Sequence, residues 1–237
     1  MSAPYFALDA RLDARWLLTC EHASAHLPAP WAWSPDERVL VGTHWAVDLG
    51  AEAITRALAA RLQAPAVLAG FSRLLIDANR SPSSDTLFRT RCDDVELALN
   101  RDLSPTDRER RIRCFHEPYH DAIDTRIRLY ERADLLSVHS FTKVYEGGPP
   151  RTLEVGVLFD HDEALAHGVA EVLRDEGLAV ELNEPYSGRG GMMYSADRHA
   201  VASGRRGIEI EVRQDIASDP VRRAAVVDAL VKAFIDA

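Results

Sequence analysis

Two histidines, an asparagine–arginine pair and a late glutamate stand far apart in this chain, yet each sits beside an apolar, strand-like run. The segments are Thr19-Cys20-Glu21-His22, Ser72 through Arg80, Ser137 through Thr142, and Ile208 through Arg213. An imidazole nitrogen is a metal ligand near neutral pH, a carboxylate can move protons, and the guanidinium fork suits an anionic group. Together these types point to metal-assisted hydrolysis of a substrate held by its charge. A catalytic zinc site needs about three protein ligands and an open position. His22 and His139 are two candidates. For the third, His44 and Asp48 are four residues apart near a helix start and would share a helical face. Glu21 competes, although it would point away from His22 if the strand continues.

Alternation along Glu209-Ile210-Glu211-Val212-Arg213 puts the three charged residues on one face of a strand. That face is either a solvated edge or the wall of a cleft. In the second case Glu211 is a general base and Arg213 orients it or the substrate. Arg73 precedes the run Leu74–Ile76 and Asn79-Arg80 follows it, so each can offer donors to a carboxylate, unless Arg80 pairs with Asp77 or Asp85. Tyr186 is a donor from a loop. His116 and His120, four apart, would form a second metal pair only with a carboxylate that the spacing does not supply. Cys20 lies in an apolar run and reads as core.

The elements that must position these residues alternate in type. Strands are expected over Trp16–Cys20, Ala66–Ala69, Leu74–Ile76, Leu135–His139, Leu153–Phe159, Ala179–Leu182 and Ile208–Val212. Helices are expected over Val47–Leu62, Pro105–Arg132, Asp162–Glu176 and from Pro220 onward. Ser81–Asp102 is polar and reads as an irregular excursion. Gly147–Pro150 and Ser187–Gly191 read as turns or loops. This order predicts a three-layer α/β domain with a mixed, mostly parallel sheet, spanning residues 1–237 as one unit. Such sheets bind ligands beyond the carboxyl ends of their strands. His22, Asn79, His139 and Glu211 all fall at or just past predicted strand ends.

The net charge of −9 over 237 residues argues against a nucleic-acid partner, and no run approaches the length of a membrane span. A small anionic substrate remains compatible with a few convergent arginines. The cysteines, three in number, form no paired spacing, and the N-terminus has no secretory pattern, so a reduced, cytoplasmic protein is expected. Oligomeric state is not legible.

Taken together, the segments resemble the N-formylglutamate amidohydrolase family. The matching stretches are Cys20 through Ser24 with Pro28, His44 through Ala51, Ser72-Arg73 through Asp77-Ala78-Asn79-Arg80, His139 through Thr142 with Arg151 and Gly156, Asn183 through Ser187, and Ile210 through Asp215. They occur in family order over nearly the whole chain. The resemblance implies the phosphorylase/hydrolase-like fold of zinc carboxypeptidases and aspartoacylases. It implies Zn2+ on His22, Asp48 and His139, with Asp48 preferred because Ala25 stands where those peptidases carry a glutamate. It further implies Glu211 as the catalytic carboxylate and Asn79-Arg80 as the grip on a substrate carboxylate. Arg73, Arg213 or Arg189 would hold a second carboxylate, with Tyr186 and His44 as further substrate contacts. The expected substrate is a small anionic N-acyl amino acid, N-formyl-L-glutamate first. Another N-acyl amino acid or small peptide, or a non-catalytic binding module on the same scaffold, are the alternatives.

Overall fold

The computed structural model describes residues 3–145 and 147–236. Seven strands form one sheet in the order β1-β3-β2-β6-β9-β7-β8. They are β1 (Tyr5–Leu8), β2 (Trp16–Cys20), β3 (Ala66–Ala69), β6 (Asp134–Phe141), β7 (Val155–Leu158), β8 (Val180–Leu182) and β9 (Gly207–Arg213). A separate hairpin pairs β4 (Arg91–Cys92) with β5 (Val95–Glu96). The central run β3-β2-β6-β9 is parallel, whereas β1 and β7 pair antiparallel with β3 and β9. From β2 the chain goes to β3 on one side and later returns to β6 on the other. The carboxyl ends of β2 and β6 therefore flank a topological switch point, where open sheets of this kind leave a crevice.

Three of the helices, α1 (Ala51–Leu62), α4 (Glu163–Asp175) and α7 (Pro220–Asp236), belong to the layer on one face of the sheet. Leu18, Cys20, Leu136, Val138, Ile208, Ile210 and Val212 pack with them in one apolar core. On the other face lie α3 (Glu117–Leu129) and α5 (Tyr194–Ser203), against Leu17, Val67 and Leu135. The strand period of two sorts the polar residues between these layers. Because Leu135 faces α3, so do Ser137 and His139, and because Ile210 faces the opposite layer, Glu209 and Glu211 face α3 and α5. Both glutamates are buried. The charged alternation on β9 thus belongs to an interior wall, and the solvated-edge alternative falls.

Several expectations change. Leu74–Ile76 is buried but is not a strand: Leu75 N donates to Ser72 O at 2.9 Å, and Arg80 N to Asp77 O at 3.2 Å, which winds the segment into turns. Its apolarity signals burial, and burial does not require a sheet partner. The long helix is divided, with α2 (Pro105–Arg111) passing through a π-helical segment, Ile112–His116, into α3. The sequence pattern shows neither β1 nor α5, and the excursion after Ser81 holds the β4–β5 hairpin. The helix expected from Val47 begins at Ala51, so Asp48 lies in the turn before it and shares no helical face with His44. One turn of helix, α6 (Gln214–Ala217), joins β9 to α7. Among the described residues no helix is long and apolar enough to cross a membrane.

Gly50 closes the turn between Asp48 and α1. Its φ is +85°, and a Cβ there would stand 2.3 Å from the Ala217 carbonyl oxygen of α6. Gly50→Ala is expected to destabilise the chain by at least about 1–3 kcal/mol, since it combines a left-handed backbone with a backbone clash. A urea-unfolding midpoint indistinguishable from that of the parent would contradict this.

Candidate active site

His22 lies just past β2, His139 on β6 and Glu211 on β9, where His139 and Glu211 are register partners. Asp48 is brought to them through its backbone, with Asp48 N donating to His22 O at 3.0 Å. One oxygen of Asp48, Oδ2, then sits 3.2 Å from His22 Nδ1 and 2.8 Å from His139 Nδ1. One ligand atom from each of these residues lies within 4.8 Å of the others. All three are buried.

Each imidazole has a carboxylate behind it as well. His22 Nε2 is 2.8 Å from Asp77 Oδ1, and His139 Nε2 is 3.0 Å from Glu21 Oε2. A neutral imidazole has one N–H and cannot donate to carboxylates on both sides. A cation held by His22, Asp48 and His139 would remove the conflict. Each ring then keeps its Nε2 proton for the outer carboxylate and turns a lone pair inward, the usual arrangement behind a metal-ligating histidine. The donor set therefore fits a metal, and His22, Asp48 and His139 are the residues that could hold it.

The outer carboxylates are themselves anchored. Glu21 accepts from Tyr119 Oη of α3 at 3.0 Å and from Ser137 Oγ at 2.7 Å, so it is fully engaged behind His139 and is not placed as the third inner ligand. Asp77 accepts from Arg73 Nη2 at 2.9 Å and from Asn79 N at 2.9 Å. Burial alone would raise Asp77, but Arg73 and His22 hold it well below the usual carboxylate range. Asp48 is likewise held low against its burial, by His22 and His139. Burial would depress His139, yet Glu209, Asp48 and Glu21 raise it well above the usual imidazole range.

Glu211 is the exception among these acids. Its Oε2 is buried and has no hydrogen-bond partner among the described residues. Burial first, then repulsion from Glu209 and Asp48, push it well above the usual carboxylate range, against the pull of His139 and Arg73. Glu209 is buried too. It stands 3.5 Å from His139 Nε2 and accepts from Asn79 Nδ2 at 3.5 Å. Cys20 is buried, and burial pushes its thiol up, so it is core and no nucleophile.

A cavity of about 190 Å3 opens on this cluster, lined by His22, Asp48, His139, Glu209 and Glu211, and by Arg73, Asn79, Arg80, Tyr186 and His44. Of the residues that the sequence assigns to metal, catalysis or substrate, Arg213 and the alternative Arg189 do not reach it. Arg213 is buried and bonds to Asp215 Oδ1 at 2.7 Å and to the carbonyls of Arg151, Thr152 and Leu153. The cause is simple: Arg213 follows the parity of Glu211 but ends the strand, where the segment leading into β7 presents open carbonyls. Arg189 is exposed and stacks on Phe159, away from the cavity. Arg73 lines the cavity but is occupied by Asp77 and, at 3.4 Å, by Asp48. Arg80 pairs with neither Asp77 nor Asp85, and donates to its neighbour's carbonyl, Asn79 O, at 2.7 Å.

His116 and His120 hold the turn that carries Asn79 and Arg80. His116 Nε2 donates to Arg80 O at 2.9 Å and His120 Nε2 to Ala78 O at 3.1 Å. Behind His120, His199 of α5 stands at 2.9 Å, and Asp124 lies 2.7 Å from His199. Asn79 is fixed from the other side by Ser195 N, which donates to its Oδ1 at 3.0 Å. The supporting roles of Asp77, Glu21, Tyr119 and Ser195 are not legible in the sequence. Only the spacing of Arg73 and Asp77, four apart, hints at one of them.

An α/β sheet with a buried histidine–aspartate cluster and an unpartnered glutamate at a crevice defines a hydrolase-type centre. The chain matches the N-formylglutamate amidohydrolase family over residues 14–217, belongs to that family, and is an amidohydrolase. It is similar to the crystal structure of gene product Atu2144 from Agrobacterium tumefaciens, at 29% identity and a TM-score of 0.91, covering 99% of this chain and 96% of that one. It shares its fold with an N-formylglutamate amidohydrolase from Ralstonia eutropha, at 20% identity and a TM-score of 0.76, covering 99% and 96%. A bacteriophage poly-gamma-glutamate hydrolase is more distant, at 12% identity and a TM-score of 0.50, covering 100% and 90%. Comparison with curated protein sequences gives no match. The hydrolase-like α/β fold implied by the resemblance is the fold observed.

Asp77→Ala removes the group that orients His22. It is expected to weaken metal binding by about 10–100-fold, the usual cost of losing such a partner. Competition titration with a chromophoric chelator measures it, and parent-like affinity would show that His22 needs no orienting group.

Proposed function

We propose that the chain hydrolyses the formyl amide of an N-formyl amino acid, with N-formyl-L-glutamate as substrate and formate and L-glutamate as products. The reading rests above all on Glu211, a buried carboxylate with an unpartnered oxygen that lines the same cavity as the His22–Asp48–His139 cluster. A carboxylate with a free oxygen beside such a cluster can accept a proton and return it.

Zinc is the proposed cation, held by His22, Asp48 and His139, and when bound it supplies Lewis acidity toward water and the substrate carbonyl. Glu211 takes a proton from the attacking water. It then gives that proton to the amine nitrogen as the C–N bond breaks, so a single group serves as base and then as acid. Asn79 and Arg80 bind the α-carboxylate and fix the distance between it and the scissile amide. His116 and His120 keep their turn in place. Tyr186, whose hydroxyl burial holds in its protonated form, is a donor from the cavity wall. Arg73 acts through Asp48 and Asp77 and positions them.

Glu211→Gln keeps the shape and removes the proton carrier. It is expected to retain zinc and to lower kcat for formate release by at least about a hundredfold, the low end for a general base. A variant with parent-like kcat would remove Glu211 from the mechanism. Formate release from N-formyl-L-glutamate that is unaffected by exhaustive chelation would remove zinc.

A further inference from the structure

One cation in the cavity has no part in the proposed chemistry. Arg89 lies on the excursion between Ser81 and the β4–β5 hairpin and lines the cavity, half-buried. Its guanidinium stacks on Trp45, 5.1 Å from the ring centroid, and takes part in no hydrogen bond or ion pair among the described residues. The ring is itself fixed, with Trp45 Nε1 donating to Asp93 Oδ2 at 2.8 Å across from the hairpin. His44 packs against the same indole, with ring centroids 4.6 Å apart, and its Nε2 is buried without a partner among the described residues.

A guanidinium held flat on an aromatic face keeps its N–H edge free and loses little freedom when that edge is bound. A buried nitrogen with no partner costs stability unless something supplies one. Arg73 differs, since its charge is already balanced by Asp48 and Asp77, which take two of its five N–H donors. From this arrangement we infer that Arg89, Trp45 and His44 form a subsite for the negatively charged side chain of the substrate. The α-carboxylate goes to Arg80, and the second carboxylate goes to Arg89. The inference rests on the proposed deformylase activity for its substrate but not for its binding test. It also gives the irregular excursion a purpose, because the hairpin brings Asp93 to Trp45 and places Arg89 above it.

The test has a binding arm and a turnover arm. In calorimetry with the metal-loaded protein, glutarate should bind at least about tenfold more tightly than butyrate, the low end for a charge-assisted hydrogen bond. Arg89→Met should abolish that preference, and Arg89→Lys should retain part of it. In turnover, the ratio of kcat/KM for N-formyl-L-glutamate to that for N-formyl-L-norvaline should fall at least about tenfold in Arg89→Met, mainly through KM. Equal binding of glutarate and butyrate by the parent protein would overturn the subsite, and so would a preference that survives Arg89→Met intact. If the parent turns over neither formyl compound, the deformylase reading fails while the calorimetry still decides the subsite.

Discussion

One carboxylate oxygen, Asp48 Oδ2, stands within hydrogen-bond distance of both His22 Nδ1 and His139 Nδ1, and the rest of the centre is arranged around that convergence. Each ring is backed by a second carboxylate, so the imidazoles lie between acids with almost no solvent access. Without a metal, the geometry asks for two protons more than neutral rings carry. A divalent cation replaces two protons charge for charge, and it also turns two donor conflicts into two ligand bonds. Were a metal to bind here, protons would have to leave for it, so its binding would be pH-dependent.

Burying so many acids is costly, and the cost is met by pairing. Arg73 bridges Asp48 and Asp77, while Tyr119 and Ser137 share Glu21. Glu209 is left with contacts at 3.5 Å, and Glu211 Oε2 has no hydrogen-bond partner among the described residues. Those are the two acids that the surroundings push upward, and the contrast separates the roles. Asp48, Asp77 and Glu21 are held low: Asp77 and Glu21 back the two imidazoles, and Asp48 stands between them. Glu211, whose Oε2 has no hydrogen-bond partner among the described residues, is the one proposed to transfer the proton.

Much of this is legible in the sequence because the strand period is strict. Along β9, parity puts Glu209 and Glu211 on one face and Ile210 on the other; that β6 is its neighbour, with His139 opposite Glu211, is seen only in the structure. The mixed sheet, and the placing of His22 and His139 at strand ends, follow from short apolar runs and the residues that end them, whereas Asp48 is singled out only by the family resemblance. The illegible part depends on contacts between distant segments. Nothing near Tyr119 signals that it reaches Glu21, because helical periodicity shows only that it faces the core. Leu74–Ile76 misleads because three apolar residues report burial without reporting conformation. Arg213 misleads because parity fixes a face but not whether the strand has already left the cavity.

Arg89 is hidden in the sequence for a related reason. It stands in a polar stretch with no periodicity, where one arginine looks like any other. Its meaning comes from Trp45, more than forty residues earlier, and from the Asp93 that holds the indole. This division runs through the whole site. The groups proposed for bond breaking are carried by β6, by β9, by the residues just past β2 and by the turn that opens α1, between packed layers on both faces. The groups proposed to recognise the substrate, Arg80 and Arg89, are carried by turns and by the excursion. Substitutions there can change which side chain is accepted without moving His22, His139 or Glu211. A shared catalytic centre with divergent loops is therefore the route by which relatives of this fold would come to differ in substrate.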